Sequence, residues 1–476
     1  MNPPDGLVAV VKRSCPTCEL VAPVLVELGD RITLYSQDDP SFPAGRGALD
    51  DSSLDVSFAL EIDTVPTVVR VQSGRVVDRV EGWERGRWEA LTGVDGLGTG
   101  LPDWRPGCGS RTHDPDVVDA RLIAATVPKL RARVVELGDA EDEVEAMYAR
   151  GWSDGLPLVP PTEARVARMC AGTTRAPDEV VAVVPPDLVE CTVEKVAVNA
   201  VMAGCRPEYL PVVLAAIEAA CTQEFNIHGL LATTWFSGPL VIVNGPVARA
   251  IGMNSGLNAL GQGNRANATI GRALQLVVRN VGGGRPGEVD RATLGNPGKY
   301  TFCFAEDEAG SPWEPLAVER GLPPGTSAVT LFAAAGVQGV VDQLSRDPES
   351  LARSFAACLR SVAHPKNVFV WDALLVVSPE HARVFREAGW SKARLREELD
   401  DLLQIPAEEL VRGAGGIAEG MPEFLCAPGT RLPKFRAGGL LIAHAGGGAG
   451  LFSAIIGGWA SGAVGSEIVT REVRTS

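Results

Sequence analysis

Along the first 95 residues the apolar positions alternate between two periods. Leu7-Val8-Ala9-Val10-Val11 is an unbroken, β-branched run of the kind a buried strand requires. Val21, Ala22, Val24, Leu25 and Leu28 then recur at helical spacing and stop at Gly29. Ile32-Thr33-Leu34-Tyr35 predicts a second strand. Runs Val68–Val71 and Val76-Val77 flank Gln72-Ser73-Gly74-Arg75, a hairpin signal. Residues 84–92 predict a closing helix, so the order is β-α-β followed by β-β-α.

Beyond this the pattern loosens. Gly96–Gly109 is rich in Gly, Pro and Asp and predicts a linker. A charge-laced helical pattern runs from Val117 to about Arg150. Gly151–Thr162 is too rich in turn formers for a regular element, and Thr162 caps a helix that starts at Glu163. Strand candidates Val181–Val184, Leu240–Val243, Tyr300–Phe304, Ala328–Ala333, Val368–Val376 and Leu440–Ala443 alternate with helices. That argues an α/β fold with a mixed sheet for residues 146–476, after a domain over 1–95 and a connecting stretch over 96–145. Segments 237–246 and 367–379 share a weak similarity that hints at a pseudo-repeat.

Composition narrows the function. With 476 residues, two or three domains are expected. A formal net charge of −15 argues against nucleic acid, whose phosphates need clustered Lys and Arg. No apolar run reaches about 18 residues without a charge or a Pro/Gly break, so no membrane span is expected. Met1-Asn2-Pro3-Pro4-Asp5 lacks the layout of a signal peptide. Ten cysteines are too sparse for a secreted disulfide scaffold, and a reducing cytoplasm is the expected location.

The strongest chemical signal is Ser14-Cys15-Pro16-Thr17-Cys18, at the start of the first helix. A helix N-terminus favours the thiolate of Cys15, and Cys18, one turn in, can resolve a mixed disulfide. The alternative, half of a structural metal site, needs two further Cys or His nearby, and residues 1–95 contain no histidine. Cys15 and Cys18, together with Val65-Pro66-Thr67, make residues 1–95 resemble the thioredoxin superfamily. That resemblance implies a cis Pro66 whose preceding residue packs against the CxxC. Ser14 stands where the family usually has Trp, Pro-Thr replaces Gly-Pro between the cysteines, and the first strand lacks a buried acid. Trp152-Ser153-Asp154-Gly155-Leu156-Pro157, Glu194-Lys195, Met202–Glu208, Asn264–Arg272 and Pro297–Thr301 resemble a large bacterial domain family without an assigned reaction. It is loosely associated with thiol- or selenol-dependent proteins, and no catalytic residue is carried over from it.

Four further places could carry chemistry. Cys205 lies between a helix stop at Gly204 and Pro207, beside Arg206, which suits either a thiol of lowered pKa or a small core residue. Gly261–Asn267 leads into a helix, and its N–H groups with Asn264, Arg265, Asn267 and Arg272 suit a carboxylate or phosphate, or else a tight turn. His444 ends a strand before Gly446, Gly447 and Gly448, with a helix expected over Leu451–Ile456. It is a candidate general base or a structural histidine. The fourth is the scattered set Lys195, His228, Lys299, Glu306 and His364, without local metal spacing. His381 is expected on a helix surface, and Cys108, exposed beside Gly109, reads as a reactive thiol or, with no base or partner in view, as an incidental loop cysteine. Together these predict a thiol-dependent enzyme acting on a small anionic substrate. Its CxxC domain would draw on a thiol reductant or a thioredoxin-reductase-like partner, and no cofactor motif is present. A redox-controlled binding or sensor protein, and a hydrolase or lyase with an accessory CxxC domain, are the alternatives.

Overall fold

The computed structural model describes residues 4–138, 141–460 and 465–474. It is an α/β protein that divides into two compact units, Met1–Ala125 and Thr126–Ser476. Met1, Asn2 and Pro3, where no signal-peptide layout is expected, lie outside the described residues, as do positions 139 and 140 of the expected connecting helix.

In the first unit, β1 (Gly6–Val11), α1 (Pro16–Leu28) and β2 (Ile32–Ser36) follow the apolar pattern. They are succeeded by β3 (Leu49–Asp50), α2 (Asp55–Ala59), β4 (Thr64–Val65), β5 (Thr67–Gln72), β6 (Arg75–Glu81), β7 (Trp83–Glu84) and α3 (Arg85–Thr92). The sheet order is β3-β2-β1-β5-β6; β1 is parallel to β2 and antiparallel to β5. β1 reads as a continuous apolar run because residues 8–11 are buried on both faces. Trp83 and Trp88 meet edge-on at 5.0 Å in the same core, and the Val65–Pro66 bond is cis.

The expected linker is part of this unit. β8 (Trp104–Arg105) pairs with β7, and β9 (Cys108–Gly109) pairs with β4. Buried Gln37 donates to Ser57 and Ser110 at 2.8 and 2.6 Å and accepts from the Arg111 N–H, which ties the segment down. The unit therefore runs to α4 (Pro115–Thr126) rather than ending near 95. No continuous helix fills 117–150: after α4, residues 130–138 are irregular and α5 covers only Glu143–Ala149. Pro128 cannot continue the helix, which explains the break.

The second unit continues with α6 (Glu163–Cys170), β10 (Val180–Val184), β11 (Val189–Thr192), α7 (Val193–Ala203), α8 (Leu210–Ala220), α9 (Ile227–Ala232), β12 (Gly238–Asn244), α10 (Pro246–Ala250) and α11 (Arg265–Asn280). Then come β13 (Cys303–Ala305), α12 (Leu316–Glu319), β14 (Ala328–Ala334), β15 (Val337–Val341), α13 (Pro348–Leu359), β16 (Trp371–Val377), α14 (Pro379–Glu387) and α15 (Lys392–Leu402). β17 (Gln404–Pro406), α16 (Ala407–Leu410), β18 (Arg431–Pro433), β19 (Phe435–His444), β20 (Phe452–Ala460) and β21 (Val469–Glu472) complete it.

Two sheets dominate, β13-β12-β14-β21 and β15-β20-β16-β19. In each, one strand (β12 or β16) has a parallel neighbour (β13 or β19) and an antiparallel one (β14 or β20), which carries a further antiparallel edge strand. This shared topology, with Pro246 and Pro379 each opening a short helix after the central strand, gives the pseudo-repeat of 237–246 and 367–379 its structural form. Residues of period two show the layers. Leu240, Ile242, Leu374 and Val376 share one cluster between the sheets; Val241 and Val243 face α7, α8 and α11, and Ala373 and Leu375 face α13, α14 and α15. The result is an α–β–β–α stack. Residues 452–460 form β20 instead of the expected helix, because Ile455 and Ile456 favour a strand and Gly457-Gly458 disfavour a helix. A Cβ at Gly458 would meet the Asp372 carbonyl at 2.8 Å.

Candidate functional site

Cys15 is the N-cap of α1, with φ −101° and ψ 118°, and its sulfur accepts the Cys18 N–H at 3.3 Å. Pro16 at the first helical position suits the cap, since its missing N–H would lack an intrahelical partner anyway. When protonated, the Cys15 thiol donates to the Val65 carbonyl at 3.4 Å, so the residue before Pro66 packs on the CxxC. The thiol's pKa falls to about 5. The hydrogen bond from the Cys18 thiol is the largest cause; burial opposes it, and the Cys108 thiol and the N–H groups of Cys18 and Thr17 assist. A helix end supplies at most about 2 kcal/mol, or roughly 1.5 pKa units, so the neighbouring thiol is needed for the rest. Burial and the adjacent Cys15 push Cys18 far upward. The two shifts run in opposite directions, favouring the charged form at Cys15 and the protonated form at Cys18.

Cys108 was missed as a partner. Its strand runs antiparallel to Thr64-Val65 with Cys108 opposite Val65, which brings its thiol onto Cys15. The signal was Gly107: a Cβ there would meet the Val65 carbonyl at 2.9 Å, so only glycine permits the approach.

In the second unit the structure brings several expected residues together, but as scaffold. Cys205 is buried, donates to the Thr269 carbonyl at 3.4 Å and has Arg265 and Arg272 nearby; burial outweighs both cations and pushes its thiol up to about 12. Of the two readings of Cys205, its burial favours the small core residue over a thiol of lowered pKa. Arg265 donates to the Gly204 carbonyl at 2.8 Å. Arg272 holds Asp154 through two bonds of 2.8 Å, with side chains 13% and 11% exposed. Asn264 caps α11 by accepting the Asn267 N–H at 3.0 Å, and buried Asn267 bonds both the N–H and the carbonyl of Asn254. Gly446 donates to the Ser255 carbonyl at 2.9 Å, and Gly447 lies against Leu257, so the two glycine-bearing loops pack on each other; the space beside Gly448 is open.

His444 is 1% exposed. Its Nδ1 lies 3.1 Å from the Asp307 carbonyl, burial lowers its pKa, and Nε2 has no hydrogen-bond partner. Buried Glu306, pushed upward by desolvation, accepts from Asn244 and the Leu316 N–H at 2.7 Å each. The neutral imidazole is enclosed at the carboxyl end of its strand. His381, expected on the surface, is buried between Ser453 Oγ and the Asp342 carbonyl at 2.7 and 3.0 Å. Lys195 donates to the Glu190 carbonyl and Lys299 pairs with Asp290, while the His364 carbonyl accepts from Lys434. His228 lies on α9.

The second unit also contains a groove of about 980 Å³ whose walls include Trp152, Pro161, Glu194, Lys195, Asn199 and Met202. It was not legible as a site, although three of the motif strings converge on it, through Trp152, Glu194-Lys195 and Met202. The Glu194 carboxylate accepts the N–H groups of Arg131 and Ala132 and so clamps the irregular 130–137 segment along its edge. Among the described residues no group of three or more His, Cys, Asp or Glu is placed to hold a metal ion, and no helix is long and apolar enough to cross a membrane. Comparison with family models, curated proteins and solved structures gives no match.

Proposed function

We propose that the first unit is a thioredoxin-like thiol–disulfide exchange module in which Cys15 attacks a disulfide and Cys18 resolves the product. The observation that carries this reading is the placement of the two thiols: Cys15 caps α1 and accepts the Cys18 N–H at 3.3 Å, with the Cys18 thiol beside it, an arrangement whose hydrogen bond from Cys18 lowers the Cys15 pKa. The β-α-β then β-β-α order supports the same reading. A thiolate at neutral pH supplies the nucleophile, and Cys18, delivering its proton to the departing sulfur, becomes the second nucleophile. The module would serve the second unit with reducing equivalents drawn from a thiol reductant.

For the second unit, the convergence of Trp152, Lys195 and Asn199 favours the groove as the place where a small molecule binds. The anion cradle expected at Arg265 and Arg272 loses its support, because both guanidiniums already bond backbone or Asp154.

Reduction of a small aliphatic disulfide by the dithiol form tests the module. Cys15→Ser abolishes turnover, whereas Cys18→Ser still attacks through Cys15 but cannot form the Cys15–Cys18 disulfide. Undiminished turnover by Cys15→Ser contradicts the assignment.

A further inference from the structure

The first unit contains a third thiol that the two-cysteine scheme does not use. Cys108 is presented by a strand that occupies the free edge at Thr64-Val65, next to the reacting sulfur. The strand is fixed on both sides. The Thr17 hydroxyl donates to the Pro106 carbonyl at 2.7 Å, and Lys12 Nζ donates to the Gly109 carbonyl at 2.8 Å. Gly107 sits so close to Thr64 and Val65 that any side chain would lift the strand away. Below it, Cys15 is wholly buried, while Cys108 is partly buried against the same core. The chain's own segment 106–109 therefore lies where an extended peptide carrying a cysteine would dock, with main-chain bonds to Val65 and a thiol against Cys15.

We propose that Cys108 is the internal exchange partner of Cys15, so that a disulfide passes between Cys15–Cys108 and Cys15–Cys18 within this unit. The inference rests on the exchange reading above. The oxidant is a low-molecular-weight dialkyl disulfide, RSSR. Cys15 thiolate attacks one sulfur, forming Cys15–S–S–R and releasing RS⁻, which takes a proton from water. Cys108 gives its proton to solvent and attacks the Cys15 sulfur; the Cys15–Cys108 bond forms and the second RS⁻ leaves, again to be protonated. Cys18 then attacks the Cys15 sulfur, forming Cys15–Cys18, and its proton passes to the departing Cys108 sulfur. RSSR has gained two electrons and two protons as two RSH; Cys15 and Cys18 have lost the two electrons, Cys18 and the solvent have each supplied one proton, and Cys108 is regenerated. Attack within one folded unit proceeds at an effective concentration far above that of any external thiol.

The test uses the full-length chain with Cys18→Ser, reduced and then treated with one equivalent of hydroxyethyl disulfide. The quenched protein is mapped by mass under non-reducing conditions. The expected product is a Cys15–Cys108 cross-link with both hydroxyethyl thiols released. Adding Cys108→Ser should slow loss of the mixed disulfide by roughly an order of magnitude or more. A persistent Cys15–hydroxyethyl mixed disulfide with Cys108 still alkylatable overturns the role of Cys108 and leaves the exchange reading standing. Failure of Cys15 to react at neutral pH overturns both. Should Cys18→Ser not fold, wild-type protein quenched at increasing times serves in its place. A Cys15–Cys108 cross-link that precedes Cys15–Cys18 is expected, and its absence at every time overturns the role of Cys108.

Discussion

Arg272 grips Asp154 with Nε and Nη2 at 2.8 Å each, and the same guanidinium reaches the carbonyls of Leu156 and Pro157 at 3.1 and 3.0 Å. This forked pair fastens α11 to the turn-rich stretch that follows Trp152. Replacing Arg272 by Ala leaves a mostly buried carboxylate without its partner, at a cost of about 3–5 kcal/mol. Thermal denaturation of Arg272→Ala should therefore show a marked loss of stability in the second unit. A variant as stable as wild type would make Arg272 a ligand-binding candidate again.

Lys434 is fully buried, and its Nζ donates to the carbonyls of Val362, His364 and Asn367 at 2.7–2.8 Å. Burial pulls its pKa down to about 7. Lys434→Met removes three donors and leaves their acceptors unpaired, which should cost roughly 3 kcal/mol or more. Chemical denaturation checks this; a neutral or stabilising effect would mean that water enters the cavity or that the carbonyls find other donors.

The Cys15 thiol also predicts a pH dependence of stability. Its folded pKa of about 5 lies below the ordinary cysteine value, so between the two the unfolded chain binds the extra proton. The reduced protein's advantage over Cys15→Ser should be complete above about 8.5, shrink as pH falls, and vanish below about 5. Melting temperatures of the reduced forms across this window measure it, and a constant difference refutes the assigned thiolate.

Glu194 predicts a local effect in the second unit. Its carboxylate accepts the N–H groups of Arg131 and Ala132 at 2.8–3.0 Å. Glu194→Ala should speed amide exchange over 130–137 and open the groove edge, with little effect at Leu240–Val243 in the core. Unchanged exchange at Arg131 and Ala132 would show that other contacts hold the segment.

The first unit was legible because its elements are strongly periodic and its chemistry sits in one short motif. Its extent was not, because β7–β8 and β4–β9 are two-residue ladders with no period to detect. The partnership of Cys15 and Cys108 spans 93 positions (108 − 15) and depends on where the chain returns to the sheet edge. In the second unit the strands were largely recognisable, but β20 was hidden by its glycines, and β11, β15 and β21 by their shortness and exposed positions. Arg265, Arg272 and Asn267 have the residue types of an anion site, and only their fixed bonds to Gly204, Asp154 and Asn254 distinguish scaffold from site. His381 looked superficial because its helix is amphipathic, whereas it lies on the buried face against Phe355.

Exchange by this pair requires Cys15 to be a thiolate at neutral pH beside a protonated Cys18. Ultraviolet absorbance of thiolate, followed during a pH titration of the reduced full-length chain and of Cys15→Ser, measures this without requiring a reagent to reach the buried sulfur. One thiolate should appear with a midpoint of about 5 in the wild type and be missing from Cys15→Ser. No step below the ordinary cysteine range near about 8.5, or a low step that survives in Cys15→Ser, would contradict the account.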